Sequence, residues 1–233
     1  MALGLGRDMK RLHPALLVMA LAAGGGLAGA PAHAHPHVYV TVETTALVGA
    51  DATVTGLRHK WTFDELYSSF AVQGLDKSGG NAPTRDDLKE LAKLNVESLK
   101  EFGYFTHPQV LAANGAAEKA AMKAPEDYYL EFKDGQLALT FTLPLDKPAP
   151  ANKSPLAFTV YDPTYFIAFQ FAKDKALTIA QGAPAACRIE MKAQAGEQAQ
   201  ADKLADAFSK ALGPGSGGGL MADSAIVSCE EKK

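Results

Sequence analysis

Two histidines separated by one proline, His35 and His37, are the residues of this 233-residue chain whose type and spacing most directly suggest chemistry. In an extended segment, side chains two residues apart lie on the same side, so both imidazoles can reach one ion. Cleavage before His35 would also free an α-amine, and an amine beside an imidazole forms a chelate. Pro36 has no amide N–H to lose, so the copper site that uses backbone amide nitrogens cannot form here. Any ion would have to be bound by the imidazole rings and the amine. The segment therefore predicts a site for Zn, Ni, Co or Cu. The alternative is a frayed polar tail without a ligand.

Further metal ligands would have to come from another segment. Residues 38–47 and 54–63 alternate between apolar and polar types and predict a β-hairpin. If paired residue numbers sum to about 100, His37 lies beside Asp64, and His59 lies about 13 Å away along the ladder. Asp64 is therefore the preferred carboxylate ligand, and His59 would join the site only if the register slipped or a separate loop intervened.

An aromatic cluster lies at residues 161–171, in the second half of the chain. Its alternation favours core packing, and the wall of a ligand pocket is the alternative. The Asp-Pro turn at its start places Asp162 at a strand end, where it is a further candidate metal ligand. Residues 76–87 have the length of a calcium-binding EF-hand loop but lack its central glycine and final glutamate, so calcium is not expected.

The N-terminal segment has the pattern of a secretory signal peptide. Arg7, Lys10 and Arg11 precede an apolar stretch at residues 15–23, and an Ala-His-Ala sequence ends at residue 34. We expect a signal peptide over residues 1–34 and a single periplasmic domain over residues 35–233. No later stretch is long enough to insert into a membrane.

The two cysteines, Cys187 and Cys229, predict a disulfide in such an oxidising compartment. A thiolate metal site or a catalytic cysteine is the alternative. The chain has 23 basic and 26 acidic residues, and this balance does not suit a nucleic-acid partner. Familiar catalytic signatures such as Gly-x-Ser-x-Gly or His-Glu-x-x-His are absent, so we do not expect an enzyme.

The periodicity predicts an α+β fold with a mostly antiparallel sheet. After the hairpin, residues 64–75 and 84–102 have helical periodicity, with Asp64 as N-cap of the first helix and Thr84-x-x-Asp87 as a capping box of the second. A third helix is expected at residues 202–212, and residues 144–155 are expected to form a Pro-rich surface connection. The remaining short strands are separated by turn residues.

Several blocks of this sequence resemble the bacterial periplasmic family called domain of unknown function 1007. They are His35-Pro-His-Val, Arg58-His-Lys-Trp-Thr-Phe-Asp-Glu65, Leu94-Asn-Val-Glu-Ser-Leu-Lys-Glu-Phe-Gly-Tyr-Phe105, Asp134-Gly, Phe141-Thr-Leu-Pro144 and Tyr161-Asp-Pro-Thr-Tyr-Phe166. The resemblance implies a periplasmic component of an ABC-type transport system, and family members are often encoded near nickel or cobalt transporters. It therefore implies an inner-membrane transporter as partner and an accessory role in transition-metal transport or homeostasis. A binding protein for another small ligand and a non-catalytic interaction module are the alternatives.

Overall fold

Strands dominate the part of the chain that the computed structural model describes, which is residues 37–75, 78, 80, 82–192 and 223–230. The strands are β1 (Val38–Val48), β2 (Thr53–Phe63), β3 (Thr106–Leu111), β4 (Ala117–Lys119), β5 (Glu126–Lys133), β6 (Gln136–Pro150), β7 (Leu156–Val160), β8 (Ile167–Phe171), β9 (Leu177–Ile179), β10 (Cys187–Lys192) and β11 (Ser224–Cys229). The helices are α1 (Glu65–Ala71), α2 (Lys89–Leu99) and a 3-10 helix, η1 (Lys100–Phe105).

The predicted α+β class is wrong, because the described chain is mainly β. About half of the described residues lie in strands. One reason is that residues 144–155 are not a surface connection, since β6 continues to Pro150 and pairs with Thr53 of β2. The predicted helix at residues 202–212 lies outside the described residues.

Two sheets form the body of the described chain. The first has the order β5-β6-β2-β1-β8, with β9 also paired to β1, and the second has the order β10-β11-β7-β3-β4. The β1–β8 and β1–β9 pairs are parallel, whereas the other ladders are antiparallel. Buried side chains of both sheets, such as Trp61 and Phe141 from the first and Phe158 from the second, belong to one hydrophobic cluster. The two sheets therefore share one hydrophobic core. The alternate side chains of their strands that point inward form this core.

The predicted N-terminal hairpin is confirmed, but its register differs from the predicted one. Val40 pairs with Phe63 and Thr44 pairs with His59, so paired numbers sum to 103 rather than about 100. The turn is centred beyond Ala50, because the Asp51 carboxylate accepts hydrogen bonds from the backbone N–H and the hydroxyl of Thr53. A register irregularity next to Val48 adds to the offset.

The predicted cap of α1 forms, and both helices are shorter than predicted. The predicted contacts between Thr84 and Asp87 also form, but they lie in the turn before α2, whose N-cap, Leu88, makes no side-chain capping hydrogen bond. The Asp64 carboxylate accepts a 2.8 Å hydrogen bond from Tyr67 N as the N-cap of α1. Thr84 N donates to the Asp87 carboxylate, and Asp87 N donates back to the Thr84 hydroxyl. These contacts, with a further one from the Ser78 hydroxyl, hold the pKa of Asp87 down at about 2.

The predicted disulfide between Cys187 and Cys229 is present. The two residues face each other across the β10–β11 ladder, with Cα atoms 3.9 Å apart. The bond therefore fastens the strand that follows residues 193–222 to the strand that precedes them.

Candidate functional site

Of the two chelating histidines, only His37 is among the described residues, and His35 lies outside them. His37 is exposed and immediately precedes β1. Its backbone N–H donates to Phe166 O at 2.9 Å, and the two ring centroids are 4.9 Å apart. The structure therefore places His37 at the parallel β1–β8 edge, beside the loop that carries Asp162.

Asp64 lies on the other side of β1 and is engaged in holding the backbone. Its Oδ1 accepts from Tyr67 N and its Oδ2 accepts from Tyr39 N at 2.9 Å, while its own N–H donates to Tyr39 O. Because the register is offset, the strand position across from Asp64 is that of Tyr39. Asp64 therefore ties the start of α1 to the beginning of β1.

Asp162 is buried, with 4% of its surface exposed. Its Oδ1 accepts from the backbone N–H and the hydroxyl of Thr164, at 2.8 and 2.7 Å, and its Oδ2 accepts from Ile167 N at 3.0 Å. The carboxylate thus shapes the turn that leads into β8. None of these three donors is a cation.

His59 lies in the core between the sheets and is fully buried. Its Nδ1 is 2.9 Å from the Thr44 hydroxyl of β1, and its Nε2 is 3.4 Å from the Thr106 hydroxyl of β3. Thr106 donates its own hydrogen to Tyr104 O, so Nε2–H donates to Thr106 and Nδ1 accepts from Thr44. Burial lowers the pKa of His59 to about 3, so the ring is neutral.

His107, which the sequence could not place, lies on β3 and does not share a site with His59. Its ring stacks on Tyr161 at 4.1 Å, and Nε2 is 3.4 Å from Tyr161 O. Burial lowers its pKa, although the Tyr161 carbonyl opposes this effect.

The structure brings His37, Asp64 and Asp162 to the same end of β1 but does not join them into a ligand cluster. Within the described ranges, no group of three or more His, Cys, Asp or Glu side chains is placed to hold a metal ion. His59 is separated from this end by the strand positions between Val40 and Thr44. The metal site at His35 and His37 remains a prediction.

A cavity of about 390 Å³ opens between α2, the start of β1, the end of β2, and the loop before β8. Its apolar and aromatic lining residues are Val38, Val40, Trp61, Phe63, Tyr67, Leu99, Phe102, Phe105, Phe166, Ile167 and Phe169, and its polar lining residues are Asn95, Ser98, Asp162 and Thr164. This volume and this mixture are typical of small-molecule sites. The sequence did not predict the cavity, because most of its lining residues are distributed over the hairpin, two predicted helices and the aromatic cluster.

The polar groups of the cavity have most of their hydrogens engaged. Asn95 Nδ2 donates to Leu91 O, the Ser98 hydroxyl donates to Leu94 O, and the Thr164 hydroxyl donates to Asp162. These three side chains therefore keep oxygen lone pairs as acceptors, and Asn95 keeps one N–H as a donor.

Two aromatic rings of the wall have further notable surroundings. Burial raises the pKa of Tyr67, with a smaller contribution from the Asp64 charge, so its phenol is neutral. Trp61 is 1% exposed, and its Nε1 has no hydrogen-bond acceptor among the described residues.

A left-handed turn sets the aromatic rings at one wall of the cavity. Gly103, Tyr104 and Phe105 have φ angles of 58°, 55° and 47°. This conformation is rare for bulky residues and persists only where the surroundings enforce it. The turn stacks Phe102 on Phe105 at 5.2 Å and leaves Phe102 52% exposed at the cavity mouth.

Comparison with known proteins gives relatives whose function is also unknown. The chain is 26% identical to an "Uncharacterized protein" of Haemophilus influenzae over 138 residues, which are 59% of this chain and 63% of that protein. It therefore spans somewhat less than two thirds of that relative. It is 31% identical to an "Uncharacterized 15.5 kDa protein in trpE 3'region" of Spirochaeta aurantia over 102 residues, covering 44% of this chain and 69% of that protein.

Among solved structures, the chain is similar to AChBP from Bulinus truncatus, with a TM-score of 0.33, 10% identity, and coverage of 84% of this chain and 87% of that chain. A likeness at this TM-score carries no argument about fold or ligand.

Two further findings concern the class of protein. Across residues 37–75, 82–192 and 223–230, no helix is long and apolar enough to cross a membrane. The family described as "Protein of unknown function (DUF1007)" matches residues 19–229. Because this match covers most of the sequence, the chain belongs to the DUF1007 family.

Proposed function

We propose that the protein is a non-catalytic periplasmic binding protein that holds a small, largely apolar molecule in the cavity between α2 and β1. The observation that carries this proposal is the cavity itself, about 390 Å³ in volume and walled mainly by aromatic and aliphatic side chains. Pockets of this size bury most of the surface of a small ligand and use a few polar groups to orient it. The N-terminal signal pattern and the Cys187–Cys229 bond support export to an oxidising compartment.

The exposed rings at the cavity mouth add support. Phe102 and Phe166 are 52% and 48% exposed although both line the cavity. Apolar side chains left in water at a concave site gain free energy when a ligand covers them, at roughly 25 cal/mol per Å² of buried apolar area.

The neutral fluorescent probe N-phenylnaphthylamine tests the proposal. We expect its emission to rise saturably with the wild-type protein. Ser98→Phe would fill the cavity and abolish the rise. Ser69→Phe is the matched control, because Ser69 is an exposed helical serine that also donates to a helix carbonyl, Leu66 O, but does not line the cavity. Absence of probe binding by the wild type, or equal binding by both variants, would overturn the proposal.

A second candidate function, transition-metal capture for an inner-membrane metal or ABC-type transporter, is favoured by the position of His37. The His37 side chain is exposed immediately before β1, and His35 precedes it by two residues in the sequence. The family resemblance of the chain supports this candidate. The Asp64 and Asp162 carboxylates, which lie at the same end of β1, also support it. Both carboxylates already accept two or three protein hydrogen bonds, which disfavours them as ligands.

Calorimetric titration with Zn, Ni, Cu and Co tests the metal candidate. We expect His37→Ala to lose affinity, and His59→Ala to keep it because that ring is buried and its nitrogens are engaged. An extra residue before His35 should also weaken binding if its amine is a ligand. Absence of binding in every form would contradict metal capture without affecting the cavity.

A further inference from the structure

The charged side chains and aromatic rings of the cavity wall restrict the chemical class of ligand that it can bind. Seven of the lining residues are aromatic: Trp61, Phe63, Tyr67, Phe102, Phe105, Phe166 and Phe169. Among the described residues, Asp162 is the one charged side chain that lines this cavity, and no described Lys, Arg or His lines it. Aromatic faces carry partial negative charge and attract cations, most strongly where water is excluded.

The Asp162 carboxylate adds to this negative potential. It is 4% exposed, and no described basic side chain lies within ion-pair distance of it. Two backbone N–H groups and one hydroxyl stabilise its charge without neutralising it. A buried carboxylate beside an apolar cavity therefore favours a positive ligand and opposes a negative one.

Three further polar side chains of the wall offer oxygen acceptors. The hydroxyl hydrogens of Ser98 and Thr164 and one Nδ2 hydrogen of Asn95 are donated to protein acceptors, so the oxygen lone pairs of these side chains can accept from a ligand. The second Nδ2 hydrogen of Asn95 is the donor that this set keeps. A cationic group with apolar substituents would meet both the oxygens and the rings.

We propose that the cavity binds an organic cation, a substituted ammonium whose apolar groups lie against the aromatic wall. This inference rests on the proposed binding function and specifies its ligand class. A bare metal ion does not suit the same space, because the described part of the wall provides one carboxylate and no imidazole or thiolate. The ligand is held by rings and by a fixed negative charge.

A pair of isosteric probes, phenyltrimethylammonium and tert-butylbenzene, tests the ligand class. They have the same shape and differ in one central atom, N⁺ or carbon. We expect the cation to bind the wild-type protein at least about tenfold more tightly, as estimated from aromatic–cation energies in desolvated sites. A merely apolar cavity would reverse this order, because the neutral probe gains more on leaving water. The anion para-tert-butylbenzoate should bind more weakly than either.

A matched pair of variants locates the effect. Phe102→Leu removes an aromatic face at the mouth, so cation affinity should fall roughly threefold to tenfold while the neutral probe changes little. Phe70→Leu is the control, because Phe70 is a 73% exposed ring on α1 that does not line the cavity.

The outcomes separate the two proposals. Tighter binding of tert-butylbenzene, with N-phenylnaphthylamine still bound in the cavity, would overturn the cation proposal and leave the binding function standing. If none of the probes binds, both proposals fail. The comparison of probes uses the wild-type protein, so it does not depend on how well a variant folds.

Discussion

Replacement of His59 by Gln should remove a specific acid sensitivity from folding stability. In the folded protein, burial lowers the His59 pKa to about 3, whereas an unfolded histidine titrates near 6.5. As pH falls below about 6.5, His59 takes up a proton in the unfolded chain but stays unprotonated in the folded protein. The contribution of the neutral His59 ring to the free energy of unfolding is therefore complete above pH 6.5 and is lost as pH falls toward 3. Between pH 8 and pH 5 the loss amounts to about 2 kcal/mol.

Urea unfolding followed by Trp61 emission measures this effect, because Trp61 is the single tryptophan of the chain and is buried near His59. His59→Gln keeps one donor and one acceptor for Thr44 and Thr106 but cannot titrate. The variant should lose about 2 kcal/mol less stability than the wild type between pH 8 and pH 5. His107→Gln, at a partly exposed ring, is the control and should keep most of the wild-type pH dependence. Equal losses in wild type and His59→Gln would refute the assignment of His59 as a buried neutral ring.

Three further substitutions test the architecture by urea unfolding. Replacing Cys187 and Cys229 by Ser should lower the unfolding free energy by about 4 kcal/mol in the loop-entropy model, and an unchanged midpoint would show that the bond contributes nothing. Asp64→Ala removes acceptors for two backbone N–H groups and should cost about 1–2 kcal/mol, whereas a neutral effect would mean that the cap is redundant. Gly56→Ala would place a Cβ 2.7 Å from Leu143 O and should cost about 1–3 kcal/mol, unless β2 and β6 separate freely, in which case stability would not change.

Local features of the fold followed from the sequence where short-range rules decide them. The hairpin, the Asp64 cap, the reciprocal contacts of Thr84 and Asp87 and the disulfide depend on periodicity or on neighbours in sequence. The hairpin and the helix-start contacts are determined by interactions over a few residues. The disulfide could be predicted because a chain with two cysteines allows one pairing.

The fold class failed where tertiary pairing overrode local composition. Proline normally weakens a strand prediction, yet β6 runs through Pro144 to Pro150 because β2 and neighbouring segments pair with it. An apolar residue in a segment of helical periodicity also need not be buried, since Leu94 of α2 is 61% exposed. Sequence periodicity cannot tell which face of a helix a distant sheet will cover.

The candidate site was harder to predict, because its walls come from distant parts of the chain. Phe102, Trp61 and Phe169 meet at the cavity only after two sheets and a helix have packed. One sequence signal pointed to this site, the aromatic cluster at residues 161–171, which contains Phe169 and for which a pocket wall was the alternative to core. The hairpin register also decided which residues adjoin His37, and a three-residue offset was enough to place Tyr39 at Asp64.

The most direct test of the cavity as the binding site is the indole N–H signal of Trp61 in a nitrogen–proton correlation spectrum. The chain contains one tryptophan, so this signal is unambiguous and comes from the cavity wall. Titration with N-phenylnaphthylamine should shift the Trp61 signal saturably, with the same dissociation constant as the rise in probe emission. A probe that binds while the Trp61 signal stays unchanged would lie elsewhere on the protein and would contradict the proposed site.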